Sequence, residues 1–124
     1  MRQRDIDVLA LDRFQTEYRQ LLARMSQLGF IWNGSVCARW LTCGRPDCAC
    51  AHDPAARHGP YLYWTTKVKG RTVTKLLHPP ESIVLTEWVR NRQEVDKIIE
   101  AMRKISQKAF KTVCRLVESD QQQS

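Results

Sequence analysis

The sequence predicts an α+β fold, a small three-stranded antiparallel sheet flanked by an N-terminal helix and a long C-terminal helix. Three observations carry this. An apolar stripe recurs at steps of three and four near the start, two runs of β-branched and aromatic residues flank Lys69-Gly70, and no glycine or proline follows Pro80.

Taken in order, Leu11, Phe14, Tyr18, Leu21, Met25 and Leu28 form a heptad seam, and Gly29 is a suitable stop. A helix of about three heptads is marginal alone. Its seam meets either another helix of the chain, as ordinary core packing, or a second copy as a coiled coil. Asn33-Gly34 marks a turn, and Ser35 to Thr42 read as a strand on which Cys37 is expected to be small and buried. Tyr61 to Val68 and Arg71 to Leu77 read as a hairpin. A two-residue loop pairs Val68 with Arg71, Thr66 with Val73, Trp64 with Lys75 and Leu62 with Leu77. Leu62, Trp64, Val68, Val73 and Leu77 then face the core, while Tyr63, Thr65, Lys67, Thr72 and Thr74 look outward. Pro79-Pro80 ends the sheet, since proline cannot donate to a ladder. From Glu81 or Ser82 an apolar periodicity through Leu85, Trp88, Val95, Ile98, Met102 and Ile105 continues to about Glu118, unbroken or broken near Asn91. The expected divisions are 1–29, 30–80 and 81–120 within one structural domain, with a frayed tail over 121–124.

Between the first strand and the hairpin lies a stretch with almost no bulky apolar residue. It holds Cys43, Cys48, Cys50, His52 and His58 within sixteen positions. Burial cannot order it. A zinc ion can, by taking thiolate and imidazole ligands in a tetrahedron. Cys48 and Cys50, two apart, leave one face of an extended backbone, and Gly44 and Pro46 help Cys43 to bend back toward it. His58 is the expected fourth ligand because Gly59-Pro60 fixes the chain just after it. His52 is the alternative, and Cys37 a weaker substitute. Spacings of four, one and seven between ligands are not those of paired Cys-x-x-Cys knuckles, and a disulfide pair with spare thiols is the competing reading. Five cysteines, an odd count, and the polar start Met1-Arg2-Gln3-Arg4 favour a reducing, cytoplasmic setting. With four ligands to hand, one structural zinc per chain is expected.

No run of about eighteen apolar residues exists to span a membrane. The formal charge is +7, and its position matters more than its size. Residues 18–80 carry nine basic and two acidic side chains, so the excess belongs to the middle segment. No serine-histidine-aspartate order, phosphate-cradling glycine loop or helical His-Glu-x-x-His appears, and an enzyme is not expected.

The pattern Gly34-Ser35-Val36, Arg39-Trp40, Cys43-Gly44-Arg45-Pro46-x-Cys48-x-Cys50, His58-Gly59-Pro60-Tyr61-x-Tyr63 and Lys69-Gly70-Arg71-Thr72 resembles a family of small, functionally uncharacterised prokaryotic domains. Their signature runs Cys-Gly-Lys-Pro-x-Cys-x-Cys to His-Gly-Pro-Tyr-Tyr, and they are often met beside mobile genetic elements. The likeness covers about residues 33–105 and leaves the N-terminal helix outside. It implies Cys43, Cys48, Cys50 and His58 as the ligand set. Arg45 stands where the family has lysine, and the Tyr-x-Tyr run is less aromatic, with Leu62 between the tyrosines.

The first functional expectation is therefore a nucleic-acid-binding accessory protein, DNA being the expected ligand, linked to a mobile element. Lys67, Lys69, Arg71 and Lys75 lie on or beside the hairpin, Arg39, Arg45 and Arg57 flank the cysteine loop, and Tyr61 and Tyr63 offer rings that stack. A bland alternative is a basic edge that only guards against strand aggregation. The second expectation is a protein-interaction module, a homodimer through its helices or a dock for a larger recombinase or helicase. A row of Lys104, Lys108, Lys111 and Arg115 on the last helix is either a solvated face or a further phosphate contact.

Overall fold

The computed structural model describes residues 1–123. Its elements run α1 (Gln3–Met25), β1 (Ser35–Leu41), β2 (His58–Val68), β3 (Arg71–Leu77) and α2 (Glu81–Gln123), with two single-turn 3-10 helices, Ala49–Ala51 and Pro54–Ala56, between β1 and β2. This is the expected fold class. The expected tail differs, because α2 continues through Gln123. Ser124 lies outside the described residues.

The sheet is antiparallel in the order β1-β2-β3. The hairpin register is the one its two-residue loop dictates, with Val68 opposite Arg71 and Leu62 opposite Leu77. Lys69 has φ +51° and Gly70 φ +79°, the paired positive values that match a tight turn to the strands' twist. Along β2, Leu62, Trp64, Thr66 and Val68 share one face, and Tyr61, Tyr63, Thr65 and Lys67 the other. The first face is covered only at one end. Leu77 is buried, whereas Val68 and Val73, expected in the core, are exposed near the turn. Cys37 also departs from expectation, since it sits exposed on β1. Its partner is Tyr63, which places it on the open face of the sheet.

The chain divides into two compact units, Met1–Gly29 with the chain from Gln93 on, and Phe30–Arg92. In the second unit Leu77, Ser82 and Val89 are buried. The segment before β1 is tied down by main-chain and side-chain bonds. The Trp32 N–H donates to the Trp88 carbonyl at 3.1 Å, and Trp64 Nε1 donates to the Asn33 carbonyl at 2.8 Å. Asn91 Nδ2 donates to the Phe30 carbonyl at 2.8 Å and Arg92 Nη2 to the Gly34 carbonyl at 2.7 Å. The helix therefore does not break at Asn91, whose amide holds a neighbouring strand approach while its backbone stays helical.

In the first unit α1 lies antiparallel to the distal part of α2. Three ion pairs set the register: Arg4 with Asp120, Asp7 with Arg115, and Arg24 with Glu94. The α1 seam packs within the chain, with Leu11, Phe14, Tyr18 and Met25 half-buried and Ile98 of α2 only 2% exposed. Asp7 is buried at the interface. Its carboxylate accepts from Arg115 Nη2 at 3.2 Å and from Gln3 Nε2 at 3.0 Å, and Arg115 also donates to Thr112 Oγ1, itself buried. Arg115 thus leaves the basic row expected on α2.

The Arg115 hydrogen bonds hold the Asp7 carboxyl below the usual carboxylate range, against the opposing effect of burial. A lowered native pKa contributes stability that is complete above the unfolded value of about 3.9 and is lost as the pH falls through the native one. Helix stability followed by circular dichroism is expected to drop over that acid window, and Asp7→Asn should be weaker at neutral pH with a flatter acid limb. An acid limb of equal steepness in the variant would remove Asp7 as its cause.

Among the described residues no helix is long and apolar enough to cross a membrane.

Candidate metal centre

Four side chains converge on one point: Cys43, just after β1, Cys48 and Cys50 in the connection, and His58, the first residue of β2. Their donor atoms all lie within 4.8 Å of one another. Cys43 Sγ is 3.5 Å from Cys50 Sγ, and Cys48 Sγ is 3.4 Å from His58 Nε2. A tetrahedral zinc with bonds of 2.0 to 2.3 Å separates its ligand atoms by about 3.5 to 3.8 Å. The donor set fits such an ion. His52 and Cys37, the alternatives, are not in the cluster.

The local backbone explains the convergence. Cys48 is extended (φ −82°, ψ 140°) and its N–H donates to the Arg45 carbonyl at 3.2 Å, which turns the chain back on itself. Cys50 then sits inside the 3-10 turn Ala49–Ala51, so the two thiols meet through a tight turn and not across an extended pleat. That corrects the face argument while keeping both residues in the site. Cys50 is buried, and the Cys43 N–H donates to its sulfur at 3.4 Å. Asp53 has a separate task, its carboxylate accepting from the Ala55 N–H at 3.0 Å to cap the second 3-10 turn.

Crowding moves two of the thiols in opposite directions. The Cys50 N–H, then the Cys50 and Cys43 side chains, pull the Cys48 thiol below its usual range. For Cys50, the Cys43 N–H favours the thiolate, yet burial and the two neighbouring sulfurs outweigh it and push the thiol up. A cation among the three sulfurs would favour the thiolate form and relieve their mutual repulsion.

The sheet register sorts the basic candidates. Arg39 pairs with Tyr61 across β1 and β2, and its guanidinium lies 4.8 Å from the Tyr63 ring centre. Arg39, Tyr61, Tyr63 and Lys67 share the open face. Arg71 and Lys75 belong to the opposite face, where Lys75 Nζ lies 2.6 Å from Glu81 Oε1. Lys69 is at the turn, and Arg45 and Arg57 lie in the connection. Leu76, opposite Tyr63, lines a cleft of about 360 Å³ with Leu41, Cys43, His58 and both tyrosines.

A Cys3His cluster joining two strands of a small antiparallel sheet, with helices on either side in the chain, defines a metal-site α+β domain. The chain belongs to the family described as a domain of unknown function, DUF6788, whose pattern matches residues 11–91. The match contains all four residues of the cluster and begins inside α1, so the likeness extends further toward the N-terminus than the cysteine signature suggests. No curated protein and no solved structure matches the chain.

Proposed function

We propose that the protein is a zinc-stabilised nucleic-acid-binding accessory or regulatory protein, with DNA as its ligand and a mobile genetic element as its setting. The observation that carries this is the open face of the sheet. Arg39 stacked on Tyr63, with Tyr61 and Lys67 beside them, sets cations and rings together, and none of the three strands contains an aspartate or glutamate. Cations neutralise phosphates while rings stack on bases. The zinc fills all four positions with protein ligands, so it acts as a structural clamp between the end of β1 and the start of β2.

Fluorescence anisotropy with a short mixed-sequence duplex tests this. Arg39→Ala with Lys67→Ala is expected to weaken binding at least about 10-fold and to lower the salt slope by about 2. Arg71→Ala with Lys75→Ala, on the opposite face, should change it little. Binding that is indifferent to both pairs, or to salt, rejects the sheet face as a phosphate contact.

A second reading rests on exposed Phe30, Ile31, Trp32, Ile83 and Val84, large apolar side chains left in solvent, of which the aromatic ones are of a type enriched at protein interfaces. In that reading the unit docks a larger nucleic-acid enzyme. Affinity for such a partner would persist at high salt.

A further inference from the structure

The α1 seam is used within the chain, yet the two-helix unit displays a second seam beside it. On α1, Val8, Gln15 and Leu22 recur every seven residues; on α2, Ile99, Ser106 and Val113 do the same. The rows share a side, because Val8, Gln15 and Ser106 line one groove of about 500 Å³ between the helices. Phe110 and Val117, also seven apart, flank the α2 row. The six bulky apolar residues of these rows are between 36% and 69% exposed. A helix with one partner needs one apolar stripe, and two adjacent stripes serve a bundle.

We propose that this face is filled by a second copy of the chain, the two helix pairs forming a four-helix bundle about a two-fold axis at Ser106. Self-pairing follows from the spacing. In an antiparallel pair of α2 helices crossing at Ser106, Phe110 meets Met102 of the second copy and Val113 meets Ile99, apolar on apolar throughout. Ser106, small enough for close approach, meets itself. Charge agrees. Asp12 lines the groove, and the Asp7–Arg115 and Arg24–Glu94 pairs put it level with Ala109. The two-fold maps that level onto Arg103 of the second copy, whose own contact with Glu100 is a long 3.8 Å. The exposed apolar side chains offer roughly 500 Å² per copy, and the polar flanks bring this near the roughly 800 Å² per partner of a stable interface.

Sedimentation equilibrium of the full, metal-loaded chain without nucleic acid tests the proposal. A dimer of the 14.5 kDa chain is expected at about 20 μM. Phe110→Glu and Val113→Glu should each give a monomer with unchanged helical circular dichroism, since both side chains are exposed in the single chain. Arg103→Asp should weaken the dimer about 10-fold, and adding Asp12→Arg should restore it. A monomeric parent at about 100 μM, or a dimer that survives both glutamates, overturns the proposal. Should a glutamate disturb helix content, the charge reversal decides: rescue supports the interface, and no weakening by Arg103→Asp overturns it. Nucleic acid is absent from the measurement, so its failure leaves the sheet-face reading intact.

Discussion

Stripping the metal with a strong chelator, or replacing Cys48 by serine, is expected to unfold Phe30–Arg92 while much of the helical signal survives. The apparent free energy of a structural zinc is about 10 to 16 kcal/mol, more than a domain of this size holds in reserve. Few residues of that unit are fully buried, and one of them, Cys50, belongs to the candidate metal cluster. The experiment has a convenient division of signals. All four tryptophans, Trp32, Trp40, Trp64 and Trp88, lie within Phe30–Arg92, so their fluorescence reports that unit, whereas far-ultraviolet dichroism is dominated by α1 and α2. The expected result is one zinc per chain by elemental analysis and loss of the tryptophan transition on chelation. A Cys48→Ser protein with the parent's tryptophan melting curve would argue against a structural metal.

Gly59→Ala is expected to be nearly as damaging, though it replaces none of the four cluster residues. Gly59 has φ +144°, and a Cβ there would lie 2.7 Å from the Arg39 carbonyl oxygen and 3.2 Å from the Trp40 Cα. Both obstacles are backbone, so β1 must move away from β2, close to Cys43 just after the one strand and to His58 at the start of the other. The strained dihedral and the displaced ladder together should cost about 3 kcal/mol or more, with a parallel fall in zinc affinity. Gly44→Ala is the control. Its Cβ meets nothing within 4 Å, so only the φ of +80° penalises it, at about 1 to 2 kcal/mol. Equal effects of the two substitutions would remove the strand clash as the cause.

Much of this was legible in the sequence because the determinants are local. The hairpin register followed from a two-residue turn, and the ligand cluster from sulfur and imidazole in a stretch with nothing to bury. What escaped depends on distant partners. Asp7 and Arg115 are 108 residues apart, and no local pattern marks either as buried or paired. Lys75 reads as one more cation of a basic hairpin until Glu81 is seen beside it. Cys37 looks like a core residue by type, yet it sits exposed on β1 opposite Tyr63. Cys50 belongs to the site as expected, but a 3-10 turn brings it there, and turns of that kind leave little trace in apolar periodicity.

The hairpin turn has a consequence of its own. Asparagine or glycine would occupy the φ +51° position at little cost, whereas lysine there forgoes about 1 kcal/mol of backbone energy. The tip of the hairpin is thus less stable than the simplest sequence would make it, and the residue that carries the cost presents an exposed ammonium group at the turn. If the hairpin meets a ligand as proposed above, Lys69 is the residue whose backbone cost that contact would offset.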